Sequence, residues 1–266
     1  MTDKIADRQI LIVDDHDDLA TPLCKVFDEC GYTVKTLESR LAAVDFCGLN
    51  EFDLIVVDLD DVDENDKPVS RDHLDANGDE IIKAFKICAA NFDRTNDFNE
   101  DELRNMVETV LSYKANFVDD ERAMQNWREK IEFELPSAIT LMHSVLNYLL
   151  VRVAKMGVIE PEKSNVFVAL DEAFVNAVKH GNKYNHHKLV RITAEISARE
   201  ARFTVEDEGE GFDVTQIPDP LDPANLFKTS GRGVLLMYNI MDEVKYNERG
   251  NRLTLVKKPE KEVTGE

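Results

Sequence analysis

The sequence lacks any apolar run that approaches the roughly 18 to 20 residues needed to cross a bilayer. Its first residues, MTDKIADRQILIVDD, are acidic, and their short apolar run has no small-residue cleavage site, so we expect no secretory signal. The four cysteines lie in the first third of the chain without a CxxC pair: Cys24, Cys30, Cys47 and Cys88. This usage predicts free thiols in a reducing compartment, and we expect a cytoplasmic location.

Basic residues are also scarce, and the deficit lies in one half of the chain. The formal net charge is −21, from 32 Lys and Arg against 53 Asp and Glu. Residues 1–120 hold 30 acidic and 12 basic residues, and residues 121–266 hold 23 and 20, which gives −18 and −3. The first half therefore repels phosphate backbones and anionic lipid, and the second has no basic stripe. Composition argues against nucleic acid and membrane partners and favours signalling through proteins or small molecules.

Predicted strands and helices alternate in the first half. A short buried strand at residues 9–13 leads into Asp14 and Asp15, and the apolar strand FDLIVVDLD leads to Asp58. YTVKTL between them predicts another strand, so the order predicts an α/β unit with a parallel sheet. The carboxyl ends of such strands share one edge, and three carboxylates there repel each other unless a divalent cation such as Mg²⁺ joins them.

This pattern resembles the receiver domain of bacterial two-component systems, which has a flavodoxin-like parallel sheet. The resemblance implies that Asp58 accepts a phosphoryl group and that Asp14, Asp15 and Asp58 hold Mg²⁺, with a histidine kinase acting upstream. GDEIIKAFKICAANF and NDFNEDELRNMVETVL are then similar to the last two helices of that family.

The first half departs from the receiver pattern in three places. Asn96 and Asp97 stand where the family has a lysine, the candidate fourth strand KPVSRDHLDAN is polar, and the acidic run DLDDVDENDK occupies the place of a helix. We interpret that run as a solvated loop rather than a second metal site. The prediction is a degenerate, truncated receiver, either phosphorylated at Asp58 or used only for docking.

The predicted domain borders follow from these patterns. The join SYKANFVDDERAMQNWREK is helical in character and has no Pro-, Gly- or Ser-rich spacer, which indicates a semi-rigid connection. The predicted segments are a receiver-like regulatory domain at 1–118, a helical linker at 119–126, a second domain at 127–258 and a disordered tail at 259–266.

Three polar and glycine-rich motifs follow one another in the second half. The helix LDEAFVNAVKHGN places Glu172 and Asn176 on one face, with Lys179 and His180 one turn further along. A two-stranded hairpin then ends in DEGEG at 207–211, and SGRG at 230–233 opens another helix. Glycines let backbone N–H groups converge on phosphate oxygens, and a helix N-terminus attracts the same anion. The order predicts a nucleotide site in which the asparagine oxygen suits Mg²⁺.

With the strand FELP before them, these motifs resemble the GHKL ATPase superfamily, whose Bergerat fold is an α/β sandwich with a mixed sheet that binds ATP with Mg²⁺. Within it the sequence is similar to the anti-sigma-factor serine kinases of bacterial partner switching. The resemblance implies Glu172 as the general base, Asn176 as the ligand of Mg²⁺ and Asp207 as the residue that binds adenine. The other nucleotide-binding residues that it implies are Lys179, His180, Gly209, Gly211, Ser230, Gly231, Arg232, Gly233 and Thr254.

The function implied by this resemblance is an ATP-dependent serine/threonine protein kinase and anti-sigma factor. It would phosphorylate a STAS-type anti-anti-sigma partner, bind a sigma factor and form a homodimer, with the receiver-like domain as its regulatory input. Only FKTS separates Leu226 from Gly231, so the predicted lid over ATP is short. Two alternatives remain open: an ATP-binding switch that transfers no phosphate, and a phosphorelay component related to histidine kinases. The latter needs a helical hairpin with a phosphoaccepting histidine, whereas His143 lies on a single predicted helix.

Overall fold

The computed structural model describes residues 8–39, 51–59, 81–92, 98–119, 127–216 and 232–259. The chain forms two compact units, Met1–Pro136 and Ser137–Glu266. Across the described ranges, no helix combines the length and the apolar character that a membrane span requires. The predicted linker at 119–126 and the predicted border between the second domain and the tail, at 258–259, stay predictions.

The first unit is a mixed β-sheet with helices beside it. Its strands are β1 (Gln9–Asp14), β2 (Thr33–Leu37), β3 (Leu54–Leu59), β4 (Ile81–Cys88) and β5 (Trp127–Pro136). Its helices are α1 (Ala20–Glu29) and α2 (Glu100–Tyr113), and α2 continues as a π-helical turn over Lys114–Val118. The strand order is β2-β1-β3-β4-β5. β1 is parallel to β2 and β3, β4 is antiparallel to β3, and β5 is parallel to β4.

The parallel pairing of the first three strands was predicted, but the helix predicted over GDEIIKAFKICAANF is wrong, because β4 occupies that segment. Phe85 and Ile87 are buried while Ala84, Lys86 and Cys88 are less so, and this period of two belongs to a strand. Since β4 is antiparallel to β3, the described strands do not form a uniformly parallel sheet. Most of the predicted helix ESRLAAVDFCG and all of the predicted strand at 67–77 lie outside the described residues, as do Asn96 and Asp97.

The sheet of the first unit is buried on both faces at β1, where Ile10, Leu11, Ile12 and Val13 are at most 1% exposed. This explains the continuous apolar run in the sequence. Helix α2 was predicted correctly. Its Asn99 cap accepts a hydrogen bond from the Glu102 amide at 3.1 Å, as expected at a helix N-terminus.

The second unit combines three helices with an antiparallel sheet. After a 3₁₀ turn at Ile139–Leu141 come α3 (Met142–Lys155), α4 (Val166–Asn176) with a π-helical continuation over Ala177–Gly181, and α5 (Arg232–Ile240). The strands are β6 (Leu189–Ile196), β7 (Ala201–Asp207), β8 (Glu243–Tyr246) and β9 (Arg252–Lys257), in the order β6-β7-β9-β8. The predicted hairpin that ends in DEGEG is present as β6 and β7, β8 and β9 form a second hairpin, and all three strand pairings are antiparallel.

Alternating burial sets the layers of the second unit. Every second residue of β6 and β7 is buried, and these residues form the sheet face that packs against the helices. Helix α4 packs between α3 and α5. The end of α4, the end of β7 and the β8–β9 hairpin therefore meet at one edge of the unit.

Candidate functional site

A cavity of about 300 Å³ lies where α4, β7, α5 and the β8–β9 hairpin meet. Its polar lining includes Asn176 and His180 from the end of α4, Asp207 from the end of β7, and Asn251 and Arg252 from the hairpin. Its apolar lining is formed by Ala173, Ala177, Val205, Phe212, Val234, Tyr246 and Leu253. A small apolar pocket with a few convergent polar groups is the usual form of a small-molecule site.

Asp207 is the buried carboxylate of this cavity. It is 9% exposed, and its Oδ1 accepts a hydrogen bond from the Gly209 amide at 2.8 Å. Burial raises the pKa of Asp207, although the Gly209 amide opposes this shift. A carboxylate in apolar surroundings gains most from a ligand that donates a hydrogen bond, such as an exocyclic amine.

Two glycines allow the backbone to pack directly against this carboxylate. A β-carbon at Gly181 would overlap the carboxylate of Asp207, and one at Gly209 would overlap the Gly181 carbonyl and the same carboxylate. Any larger residue at either position would displace Asp207. The first glycine of DEGEG is therefore required by the shape of the site, and so is the glycine that ends the π-helical turn after α4.

The loop after β7 is held by the turn between β8 and β9. The Arg249 Nη2 donates to the Gly209 carbonyl at 2.8 Å, and the Phe212 amide donates to the Arg249 carbonyl at 3.1 Å. Gly211 has φ of 78°, and a β-carbon there would meet the Arg249 carbonyl, so only glycine fits the second position of the motif. These contacts fix one wall of the cavity.

Sequence reasoning assigned no role to Asn182, which is 1% exposed and joins three parts of the site. Its Nδ2 donates to the Ser137 Oγ at 2.7 Å and to the Leu189 carbonyl at 2.8 Å, while its Oδ1 accepts from the Glu208 amide at 2.8 Å. The signal in the sequence was an amide residue directly after the glycine of HGN, at the end of a helix. Asn182 is thus a positioning residue for the DEGEG loop.

Asn251 and Tyr246 were also missed as site residues. Asn251 forms two hydrogen bonds with the backbone of Asp207. Its Nδ2 donates to the Asp207 carbonyl at 2.9 Å, and its own carbonyl accepts from the Asp207 amide at 3.0 Å. Tyr246 lies edge-on to Phe212 with ring centroids 5.3 Å apart. Burial, followed by Tyr238 and Glu172, raises the pKa of Tyr246 to about 12, so its hydroxyl stays protonated. The only sequence signal for either residue was its place beside the glycine turn of the last hairpin.

Glu172 and Asn176 lie on one face of α4, as predicted. The Asn176 Nδ2 donates to the Glu172 Oε1 at 3.3 Å, and both side chains are half-buried. A β-carbon at Gly233 would overlap the Glu172 carboxylate, so the first turn of α5 lies directly against that group. The structure therefore brings the end of the SGRG motif to Glu172, and brings Asn176, His180, Asp207 and Gly211 into one cavity.

The remaining predicted residues of this half lie elsewhere or cannot be placed. Lys179 is exposed and does not line the cavity. Thr254 lies in β9 opposite Thr204 and is likewise not part of the lining. Ser230 and Gly231 lie outside the described residues, and Arg232 is the first residue of α5 with its side chain outside the description.

Asp14, Asp15 and Asp58 each have a partner within the first unit. Asp14 and Asp58 are register neighbours on β1 and β3. Asp14 accepts hydrogen bonds from the amides of His16, Leu19 and Ala20, at 3.0, 2.8 and 2.8 Å, and so caps α1. Asp15 pairs with His16 at 2.7 Å.

Asp58 pairs with a lysine that the sequence did not point to. The Lys114 Nζ lies 2.8 Å from both carboxylate oxygens of Asp58 and 3.3 Å from Asp119. Burial alone would lower the pKa of Lys114, but Asp58 and Asp119 raise it above its usual value. The described residues contain no group of three or more His, Cys, Asp or Glu that could hold a metal ion. The magnesium site and the phosphorylation of Asp58 stay predictions.

The residues around the second unit's cavity fit an adenine nucleotide. The buried Asp207 offers an acceptor at one end, the glycine-flanked backbone leaves room beside it, and Asn176 offers a hard oxygen ligand of the kind that Mg²⁺ takes together with phosphates and water. The volume of about 300 Å³ is at the lower end of the range for ligand sites.

Comparison with known proteins adds an independent line of argument. Residues 135–257 match the family described as the histidine kinase-like ATPase domain. Serine-protein kinase RsbW of Staphylococcus epidermidis is 30% identical over 151 residues, which cover 52% of this chain and 92% of that protein. Serine-protein kinase RsbW of Staphylococcus aureus strain JH9 is 26% identical over 147 residues, which again cover 52% of this chain and 92% of that protein. The range 135–257 contains every residue that lines the cavity.

Proposed function

This chain belongs to the family of serine-protein kinases with a histidine kinase-like ATPase domain, and on that premise we propose that it transfers phosphate from ATP to a serine or threonine of a protein partner. The observation that carries the proposal is that Asn176 and Asp207, from two distant motifs, line one cavity whose glycines leave space beside the buried carboxylate.

In the proposed mechanism the residues of the cavity position the nucleotide. Asp207 accepts a hydrogen bond from the adenine amino group, and Gly209 and Gly211 keep the adjoining loop close to the ligand. The Asn176 oxygen would hold Mg²⁺, and the metal would neutralise part of the charge of the ATP phosphates. The task of the protein's own residues is mainly orientation and electrostatics.

Glu172 is the proposed general base. Its carboxylate lies at the first turn of α5 and is oriented by the Asn176 amide, which donates to it at 3.3 Å. An acidic side chain here can take the proton from an incoming serine hydroxyl as the oxygen attacks phosphorus. Since Asn176 would supply the neutral oxygen ligand for Mg²⁺, proton transfer rather than metal binding explains a carboxylate at position 172.

The proposed partner is a STAS-type anti-anti-sigma protein, and the second proposed partner is a sigma factor that this chain sequesters. The matched relatives are serine-protein kinases by name, which supports the transferase assignment. Regulation by the first unit, an upstream histidine kinase and homodimerisation are further parts of the proposal that rest on the resemblance of the sequence to receivers and to anti-sigma kinases.

The test is a phosphotransfer assay with γ-labelled ATP, Mg²⁺ and a panel of purified STAS-domain proteins. We expect label to pass to a serine or threonine of at least one partner with the wild-type chain. Glu172→Gln should still bind ATP but transfer about 10²- to 10⁴-fold less label. ATP binding without transfer to any partner would instead favour the non-catalytic switch, and label on a histidine of the chain itself would favour the phosphorelay alternative.

A further inference from the structure

Tyr246 is the last residue of β8, and it lines the cavity of the second unit. Within the part of the chain that the structure describes, the Tyr246 hydroxyl forms no hydrogen bond. The residue is half-buried, and tyrosine hydroxyls in such places usually find a hydrogen-bond partner. A phenol that lines a pocket without a protein partner is therefore available to a ligand.

The neighbouring strands hold the Tyr246 ring at the apolar floor of the cavity. Tyr246 pairs with Leu253 of β9, and Leu253 pairs with Val205 of β7, so these cavity residues form one row across three strands. Phe212 packs edge-on against the ring, with 5.3 Å between the ring centroids. The Phe212 amide in turn donates to the Arg249 carbonyl at 3.1 Å. The ring is thus held in place before a ligand binds, which lowers the entropic cost of binding.

The surroundings of Tyr246 make its hydroxyl a hydrogen-bond donor. Burial raises the pKa of Tyr246 to about 12, and Tyr238 and Glu172 add to this shift, so the group stays protonated at neutral pH. A protonated phenol can donate one hydrogen bond to an oxygen atom. The sugar hydroxyls and the phosphate oxygens of a nucleotide are acceptors of this kind.

Tyr246 and the buried acid Asp207 lie on different sides of the cavity floor. Strand β9 separates β8 from β7, so two strand spacings of about 4.8 Å each lie between the backbones of these residues. The proposed base Glu172 is close enough to Tyr246 to raise its pKa. When Asp207 holds the base of a nucleotide, this arrangement favours contact between Tyr246 and the sugar or the phosphates.

We propose that Tyr246 is a nucleotide-binding residue whose hydroxyl donates a hydrogen bond to a sugar hydroxyl or a phosphate oxygen of the nucleotide in the cavity. This role rests on the proposed function, because it requires a nucleotide in this site. It adds a contact from β8, outside the three motifs of the second half. The contact forms only when the nucleotide is bound, so its removal weakens binding and leaves the stability of the free chain unchanged.

The test is Tyr246→Phe, which removes the hydroxyl and keeps the ring. In isothermal titration, ATP affinity should fall roughly two- to tenfold if the acceptor is a sugar hydroxyl, and roughly ten- to a hundredfold if it is a charged phosphate oxygen. Tyr238→Phe is the matched control, because this phenol lies on α5 and does not line the cavity. The control should keep the wild-type affinity.

Titration with 2′-deoxy-ATP, 3′-deoxy-ATP and adenosine locates the acceptor. If the difference between wild type and Tyr246→Phe disappears with one of the deoxynucleotides, the acceptor is that sugar hydroxyl. If the difference remains with both deoxynucleotides and disappears with adenosine, the acceptor is a phosphate oxygen. A difference that remains with all three ligands would place the acceptor on the base and overturn the proposal.

Thermal unfolding separates binding from a structural role. Without nucleotide, Tyr246→Phe should unfold at the wild-type temperature, since its hydroxyl has no partner among the described residues, and saturating ATP should raise the unfolding temperature less than in wild type. Equal destabilisation with and without ATP would overturn the proposal. Wild-type ATP affinity in the variant would overturn it and leave the proposed function intact, whereas absence of ATP binding by the wild-type chain would overturn both.

Discussion

Gly181 lies so close to Asp207 that a β-carbon on the glycine would overlap the carboxylate. The end of α4 and the end of β7, 26 residues apart along the chain, therefore pack without any intervening side chain. Gly181 and Asp207 both line the cavity. Their close approach explains why a glycine follows the polar face of the LDEAFVNAVKHGN helix.

Gly181→Ala should therefore disrupt the site without removing any polar group. The added methyl group must displace the Asp207 carboxylate, and we expect ATP affinity to fall roughly tenfold or more in isothermal titration. Gly157→Asn is the matched control, because Gly157 has φ of 74° and no neighbour that a β-carbon would meet. The control should lose at most about 1 kcal/mol of stability and retain its ATP affinity. Equal effects of the two changes would contradict this account.

Asp207→Asn should change stability and ATP affinity in opposite directions. Because burial raises the pKa of Asp207, the folded chain holds this proton more tightly than the unfolded chain does. The contribution of Asp207 to stability therefore falls as pH rises from the usual carboxyl pKa to the raised one. We expect the variant to be relatively more stable than wild type above that window, with the difference shrinking below it, in urea unfolding across pH.

Wild-type ATP affinity should decrease as pH falls through the raised pKa of Asp207, because the protonated acid is a weaker acceptor for the adenine amine. The Asp207→Asn variant should bind ATP weakly at every pH. A variant with wild-type affinity would show that Asp207 does not contact the base.

Glu172→Gln should separate catalysis from binding. Loss of a general base typically lowers turnover by about 10²- to 10⁴-fold, while the amide keeps the size of the side chain. We expect phosphotransfer to fall by this amount and ATP affinity to stay within about twofold in titrations, since Glu172 does not line the cavity. Asp171→Asn, on the neighbouring residue of α4, is the control and should retain activity. A parallel loss of binding and transfer would argue against a role as base.

Lys114→Met should strongly destabilise the first unit. It leaves the carboxylates of Asp58 and Asp119 buried without their shared cation, and breaking such a pair typically costs about 3–5 kcal/mol. Lys25→Met on the exposed side of α1 should change stability by less than about 0.5 kcal/mol. Urea unfolding compares the two. Addition of Asp58→Asn should recover part of the loss, and no recovery would show that the pair is not the cause.

The sequence identified the second unit well because its signals are local. Helical spacing placed Glu172 and Asn176 on one face, and glycines after strand or helix ends marked Gly209, Gly211 and Gly233 as positions of close approach. These patterns need no knowledge of distant contacts. The family match over residues 135–257 agrees with this assignment of the second half.

The missed features depend on contacts that are distant along the chain. Lys114 meets Asp58 across 56 residues, and Asn182 reaches Ser137 across 45. Lys114 stands in no local pattern, and the local signal for Asn182, its place after the glycine of HGN, does not show which residues it contacts. The segment of β4 was predicted as a helix from the resemblance to receivers. A short apolar segment fits both periods, and its pairing with β3 and β5 makes it a strand. The likeness of the first half to a receiver stays a prediction.

The most direct test of the central claim is titration of the full chain with a non-hydrolysable ATP analogue in the presence of Mg²⁺. The account predicts saturable binding at one site per chain, weakened roughly tenfold or more by Gly181→Ala and by Asp207→Asn, and unchanged by Gly157→Asn. No saturable binding to the wild-type chain, or the same affinity in all four proteins, would contradict it.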